Sequence, residues 1–190
     1  MADRKSVIYG MGVFMKKNGR VYKVLNEILE WSKVVFFALL VSMLIKNTVV
    51  ACAVVPSGSM EQTVETGSRI VINRLAYVCS TPQRGDIVSF YYPDDGETLY
   101  LKRVMGLPGE TIEGIDGQVY IDGSVIEDYT ENKFYEDFGP YTIPDGCYFM
   151  MGDNRSNSWD SRYWQNKFVN LSDIIGKVGL EYYPEIKVLK

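Results

Sequence analysis

Histidine is absent from this 190-residue chain. Its absence excludes His-ligated metal sites, and it excludes Ser-His-Asp and Cys-His catalysis within the chain. Cysteine is scarce as well, because Cys52, Cys79 and Cys147 are too few and too scattered for a disulfide scaffold or a zinc site. We therefore expect no metal and no other cofactor, and any nucleophilic serine needs a base other than histidine.

Positive charge is scarce in most of the chain. Residues 1–33 hold seven Lys and Arg against three acidic residues, whereas the whole chain has a net charge of −4, so the remainder is strongly acidic. An acidic remainder argues against nucleic acid as a partner. A basic start followed by an acidic bulk is typical of a membrane-anchored protein with a cytoplasmic N-terminus.

Long apolar runs are limited to one, "VVFFALLVSMLI" at 34–45. Twelve residues are too few to span a bilayer, which needs about 20, but an apolar stripe at helical spacing precedes them. We predict a cytoplasmic tail with an amphipathic lead-in over 1–28, a transmembrane helix over 29–47 and an extracytoplasmic β domain over 48–190. The protein would then cross the plasma membrane once.

Two other interpretations of the apolar run are open. It is long enough for a buried core helix, although the charge asymmetry would then be accidental. It also fits a cleavable signal peptide, because "ACA" at 51–53 has the A-x-A pattern of a cleavage site. The 33 residues before the apolar run are long for such a peptide, so we favour an uncleaved anchor.

The sequence after residue 68 predicts a mainly β domain. Short β-branched and aromatic runs alternate there with Gly, Pro and Asp. The pairs Asp116-Gly117 and Asp122-Gly123 flank "QVYI", which predicts consecutive hairpins. We expect only a short helix, near 163–168 or 171–174, and an exposed loop over 127–140.

Three segments could carry chemistry. The turn "PSGSM" at 56–60 is by itself an ordinary flexible linker. A lysine can serve as base only if burial lowers its pKa from about 10.4, and Lys102 lies in an apolar run with Tyr100 and Val104 on its face of the strand. The segment "MGDNRSNSWDSRYW" at 151–164 is either a polar loop or a support for such a pair.

The order of five blocks is more specific than any one of them. An apolar segment, "PSGSM", "RGDIVSF", "YLKRVMGLPGE" and "GDNRSNSWDSR" follow one another, and this order resembles bacterial type I signal peptidases. The size and single anchor resemble the short Gram-positive kind. The resemblance implies a coiled antiparallel β-sheet catalytic domain and a Ser/Lys endopeptidase that removes signal peptides from exported preproteins after A-x-A sequences.

The resemblance also implies roles for individual residues. Ser59 would be the nucleophile and Lys102 its general base, and the Ser57 hydroxyl and the Ser59 N–H would form the oxyanion hole. Ser158 would hydrogen-bond the Lys102 amine, Asp160 and Arg162 would pair to stabilise the loops, and Met60 would line the site. The chain departs from the usual family residue at four positions: Gln62 (usually Pro), Glu110 and Ser156 (usually Asp) and Gln165 (usually Gly).

Two other functions remain open from the residues. A self-cleaving repressor of the SOS response uses the same Ser/Lys logic, but this chain has an apolar anchor and lacks a DNA-binding helix pair. A catalytically idle, membrane-tethered β module that binds exported or pilus subunits is the second. Labelling of Ser59 by a serine-reactive probe would separate an enzyme from such a module.

Overall fold

The computed structural model describes residues 19–126 and 129–189. The first 18 residues of the tail and lead-in predicted over 1–28 lie outside the described residues. Two compact units divide the chain, one ending at Lys46 and the other beginning at Asn47. Among the described residues, the first unit is helical and the second contains every strand.

Helix α1 (Gly19–Thr48) is a single 30-residue helix. It has no proline, and its one glycine is its first residue, so nothing in its interior breaks it. Its segment Val21–Lys46 has a mean hydropathy of 2.0, which by length and composition is enough to cross a bilayer. The predicted crossing segment and the described part of its lead-in are therefore one continuous helix. Its large apolar side chains are exposed.

The second unit is mainly β, as the sequence predicts. Its strands are β1 (Val50–Val54), β2 (Arg69–Asn73), β3 (Ile87–Tyr91), β4 (Leu99–Gly106), β5 (Thr111–Ile115), β6 (Gln118–Ile121), β7 (Ser124–Val125), β8 (Phe138–Thr142), β9 (Cys147–Met151), β10 (Val169–Asn170), β11 (Ile174–Tyr183) and β12 (Lys187–Val188). Three short 3-10 helices join them: η1 (Gly58–Met60), η2 (Arg155–Asn157) and η3 (Leu171–Asp173). Helix η3 lies in one of the two places predicted for a short helix.

Two antiparallel sheets share these strands. The larger has the order β1-β2-β11-β3-β4-β9-β10, with β12 on β11, and the smaller has the order β7-β6-β5-β8. Register shifts interrupt the pairing of β11 with β2 and β3 and of β4 with β9. Because such irregularities bend a strand and increase its twist, the larger sheet is curled.

The predicted hairpins are confirmed. Strands β5, β6 and β7 follow one another through Asp116-Gly117 and Asp122-Gly123. All four turn residues have positive φ, at 49° and 74° in the first turn and 50° and 75° in the second. Positive φ at both central positions is the type I′ turn, which Asp-Gly favours because glycine has no Cβ.

The prediction of an exposed loop over 127–140 was wrong for its second half; residues 127 and 128 lie outside the described residues. Phe134 and Phe138 are 3% and 9% exposed and belong to the core between the sheets. Phe138 opens β8, and its ring stacks on Phe149 with centroids 5.7 Å apart. The two phenylalanines lie among acidic residues and show no regular apolar spacing. The sequence pattern therefore did not predict their burial.

Candidate active site

Strand β4 places Lys102 in the interior of the second unit. The strand pairs with β3, and Lys102 lies opposite Val88. Only 2% of Lys102 is exposed, and its Nζ lies 5.5 Å from the centre of the Tyr100 ring, on the strand face that the alternation predicts. A lysine in a strand is usually solvated, so this burial sets Lys102 apart.

Helix η1 places Ser59 beside that lysine. The turn leaves β1 through Pro56, and the Met60 side chain is fully buried against Val55 and Val64. Met60 therefore anchors the turn in the core, while Ser59 remains 9% exposed at the surface of a groove. Met60 also lines the apolar groove beside Ser59, which is the position expected for it.

A hydrogen bond of 2.5 Å joins Lys102 Nζ to Ser59 Oγ across 43 positions of sequence. The pKa of Lys102 is lowered to about 8: burial is the largest cause and the charge of Arg162 adds to it, whereas Asp160 and Asp153 act in the opposite direction. A neutral amine can accept the hydroxyl proton, and a pKa near 8 leaves a useful neutral fraction at physiological pH. The pair has the geometry of a nucleophile and its base.

Ser57 lies at the start of the same turn. Ser57 is the N-cap residue of η1 and has extended backbone, but its side chain makes no capping hydrogen bond. Its Oγ is 3.4 Å from Ser59 Oγ. The two hydroxyls therefore lie side by side at the same groove. The Ser57 hydroxyl is the only predicted oxyanion contact made by a side chain.

The expected hydrogen bond from Ser158 to the Lys102 amine is absent. Ser158 lines the same groove as Ser59 and Lys102, but its buried Oγ has no hydrogen-bond partner among the described residues. The Oγ lies against Gly152 instead, and the amine is bonded to Ser59. The expectation is corrected to proximity without a bond.

Asp160 and Arg162 form the ion pair that the resemblance implies. Arg162 Nε and Nη2 donate to the two carboxylate oxygens at 2.7 and 2.8 Å, and both side chains are almost wholly buried. Asp160 also accepts from the Gly152 N–H at 3.0 Å, and Arg162 donates to the Arg155 carbonyl at 2.9 Å. The pair thus connects the residue after β9 with helix η2.

A second buried ion pair was missed. Arg103 Nε and Nη2 donate to Asp153 at 2.8 and 2.6 Å, and Thr63 Oγ1 donates to the same carboxylate at 2.5 Å. Arg103 is 1% exposed and Asp153 is fully buried. One signal could have found it: Arg103 shares its strand face with the apolar Leu101 and Met105, where an unpaired charge is costly.

The residues beside Asp153 hold the turn that carries Ser59. The Asn154 backbone N–H donates to the Ser59 carbonyl at 3.1 Å, and its side chain donates to the Gly58 carbonyl at 2.9 Å. A methyl group on Gly152 would collide with the Ser59 carbonyl and the Ser158 side chain. Each residue of the segment "GDN" thus has its own role. The glycine allows Ser59 and Ser158 to approach the backbone closely, the aspartate pairs with Arg103, and the asparagine holds the turn that carries Ser59.

Two grooves meet at Ser59. One, of about 490 Å³, contains Lys102 and is bounded by η2 and the residues after it as far as Trp159. The other, of about 260 Å³, is mostly apolar and lies between β1 and β4. Ser57, Ser59 and Tyr100 line both. Ser59 therefore has open space on either side.

Comparison with known proteins gives the family. The sequence profile described as "Signal peptidase, peptidase S26" matches residues 28–183, most of the chain. The chain belongs to this family of signal peptidases. The matched region includes the turn with Ser59, strand β4 and the "GDN" segment. Membership of the family makes the chain a peptidase.

Relatives from Bacillus are similar over most of their length. Signal peptidase I S of Bacillus subtilis is 36% identical over 84% of this chain and 91% of that protein. Signal peptidase I of Bacillus amyloliquefaciens is 37% identical over 87% and 93%, and signal peptidase I T of B. subtilis is 38% identical over 74% and 78%. The resemblance to Gram-positive forms is thus confirmed.

Gln62 departs from the residue that the resemblance implies, and the structure gives the departure a consequence. Its φ is 81°, which the proline ring, fixed near about −65°, cannot adopt. Its Oε1 accepts a hydrogen bond of 2.8 Å from Thr130 Oγ1. The position three residues after Ser59 therefore combines positive φ with a side-chain hydrogen bond, in place of the proline that the resemblance implies.

Proposed function

We propose that this chain is a membrane-anchored serine endopeptidase that removes signal peptides from exported preproteins, with Ser59 as nucleophile and Lys102 as base. The hydrogen bond between the buried amine and Ser59 Oγ carries the proposal. In a chain without histidine, a desolvated lysine in contact with a serine is a sufficient pair for acyl transfer.

The reaction follows from the positions of the groups. Neutral Lys102 accepts the Ser59 proton as Oγ attacks the scissile carbonyl carbon, and the developing oxyanion is met by the Ser57 hydroxyl and the Ser59 N–H. Lys102 then returns the proton to the leaving amine as the C–N bond breaks and an acyl-enzyme forms. Water attacks this ester with Lys102 again as base, which frees Ser59 and the carboxylate of the signal peptide.

The apolar groove supports specificity for small side chains. Strand β1 is an edge of its sheet, and among the described strands β4 pairs beyond β3 only from Arg103 onward, so residues 99–102 also have a free edge. An extended peptide can add a strand between these edges. Ala53, Ile70 and Leu101 line this groove, and its volume of about 260 Å³ favours small side chains such as alanine at the A-x-A positions.

The localisation follows from α1. We propose that it anchors the enzyme in the plasma membrane with the N-terminus in the cytoplasm and the β domain outside. Its length, its apolar composition and the basic residues before it support this orientation. The second unit would then meet preproteins at the outer membrane surface, so the lipid bilayer and the signal peptide are the partners of the two units.

The pH dependence of cleavage is the first prediction. Because only the neutral amine accepts the proton and the pKa of Lys102 is about 8, kcat/KM should rise with pH and level off above this value. About one unit below it, the rate should be roughly a tenth of the plateau. Initial rates on one preprotein between about pH 6 and 10 measure this. A basic limb at the pKa of free lysine would contradict the assignment.

Cleavage itself is the decisive test. The full chain in detergent should cut a preprotein after its A-x-A sequence, and phenylalanine at either alanine position should block the cut because the apolar groove is narrow. A serine-reactive phosphonate should stop the reaction and be found on Ser59 by mass spectrometry. Binding of the preprotein without cleavage and without labelling would instead support the idle β module.

A further inference from the structure

Trp159 stands beside the nucleophile on the side away from the apolar groove. It lines the groove of about 490 Å³ together with Ser59 and Lys102. It is absent from the lining of the groove between β1 and β4. Its ring is 56% exposed, which is unusual for a tryptophan with no structural task at the surface.

The ring is held in place rather than free to rotate. One face stacks on Tyr163 with centroids 5.5 Å apart and planes 13° apart. Its Nε1 donates to Tyr92 Oη at 3.4 Å, and Tyr92 Oη donates to Asp94 at 2.7 Å. A rigid aromatic side chain supplies contact area with little loss of conformational entropy on binding.

The same support reaches the strand that carries Lys102. Tyr92 lies edge-on to Tyr100 at 4.7 Å and to Trp164 at 5.3 Å, and Tyr100 stacks on Trp164 at 5.7 Å. Tyr100 in turn is the ring nearest the lysine amine among the cation–π contacts of the described residues. Trp159 therefore has a fixed position relative to the nucleophile and its base.

The direction in which the substrate chain runs across Ser59 determines which of its residues contact Trp159. The A-x-A residues precede the cleaved bond and occupy the apolar groove in the proposed function, and the bond itself lies over Ser59. The chain after the bond must therefore continue into the other groove, where Trp159 is a wall. Burial of its exposed apolar surface against an apolar or aromatic side chain of the substrate would make binding more favourable.

We propose that Trp159 is a specificity-determining residue that contacts the first two residues of the released mature protein and favours apolar or aromatic side chains there. The inference rests on the proposed function. It adds a second source of selectivity, on the leaving side of the bond, to the A-x-A requirement. It needs no change in the roles of Ser59 and Lys102.

The test compares two preproteins that differ only in the two residues after the cleaved bond, Phe-Ala in one and Asp-Ala in the other. The wild-type chain should cleave the first with the higher kcat/KM, by on the order of 10-fold. Trp159→Ala should reduce this ratio to near one, chiefly through KM for the Phe-Ala substrate. Trp159→Phe should restore part of the ratio, since it keeps an aromatic wall.

Tyr135→Ala is the matched control, because this ring is 89% exposed and lines neither groove. It should leave the ratio unchanged. An equal loss for both substrates in Trp159→Ala would mean that Trp159 only supports the loop, and an unchanged ratio would mean that it touches no substrate; either result overturns the inference while leaving the proposed function intact. No Ser59-dependent cleavage by the wild-type chain would overturn both.

Discussion

Replacement of Lys102 or Ser59 by alanine should lower kcat for preprotein cleavage by at least about 10⁴-fold, the scale on which other serine peptidases respond to loss of nucleophile or base. Lys102→Ala removes the only base bonded to Ser59 Oγ among the described residues, and the chain has no histidine to replace it. Because the two groups act as one unit, the double variant should be no less active than either single variant. Single-turnover assays with excess enzyme give the residual rates.

A stability measurement separates loss of chemistry from loss of folding. The folded-state pKa of Lys102, about 8, is below its unfolded value, so the unfolded chain binds more protons between the two. Stability should therefore rise with pH across this window, and below it the buried charge should cost roughly 3 kcal/mol. Lys102→Met has no such charge, so it should be inactive yet at least as stable as the wild-type chain near neutral pH.

Two exposed residues provide matched controls. Lys133→Ala and Ser124→Ala remove the same groups from the surface of the same unit, and both should retain full activity. Denaturant unfolding at several pH values measures the stability of each variant. Cleavage by Lys102→Met at an appreciable fraction of the wild-type rate would contradict the base assignment. A wild-type stability that does not rise relative to that of Lys102→Met between the folded and unfolded pKa values of Lys102 would contradict the burial of a charged amine.

Local patterns predicted much of the fold. The Asp-Gly pairs specify type I′ turns whatever surrounds them, because the turn needs positive φ at both positions. Alternation along β4 placed Lys102 on the face of Tyr100, since neighbouring side chains of a strand point to opposite faces. Both signals act within a few residues, and that is why they can be read from the sequence.

Contacts between distant segments could not be read in this way. No spacing rule connects Lys102 to Ser59, and only the order of motifs pointed to the pair. Arg103 and Asp153 are 50 positions apart and meet through the pairing of β4 with β9, which periodicity does not specify. For Ser158 the resemblance implied a hydrogen bond to Lys102 that the structure lacks. Whether this bond forms depends on the local backbone at Gly152, which the order of motifs does not specify.

Removal of one partner from the buried pair of Arg103 and Asp153 should strongly destabilise the second unit. Asp153→Ala leaves a guanidinium buried without its carboxylate, and the free energy of unfolding should fall by roughly 3–5 kcal/mol. For a unit of this size the melting temperature should fall by on the order of 10 °C. Thermal unfolding followed by near-ultraviolet circular dichroism in detergent measures the change.

The comparison pair is Lys177 and Asp86, whose 2.5 Å bond involves a lysine side chain that is 44% exposed. Lys177→Ala should cost about 1 kcal/mol or less, because the lysine is largely solvated and Asp86 keeps its hydrogen bonds from Tyr77 and the Gln83 N–H. The double variant Arg103→Ala with Asp153→Ala should lose less stability than the two single variants together, since removal of both charges leaves neither uncompensated. Strict additivity would mean that the two side chains do not act as a pair.

Asp153→Ala should also slow cleavage at temperatures where the variant is still folded. Asp153 fixes the segment whose next residue, Asn154, donates hydrogen bonds to the carbonyls of Gly58 and Ser59. Its loss should let the turn shift relative to Lys102, and a displacement of about 1 Å is enough to lower kcat on the order of 100-fold. Arg103→Lys keeps a positive charge but loses the two-bonded geometry, so it should fall between wild type and Asp153→Ala in both rate and stability. A variant that loses stability but cleaves at the wild-type rate would show that the pair supports the fold without positioning the nucleophile.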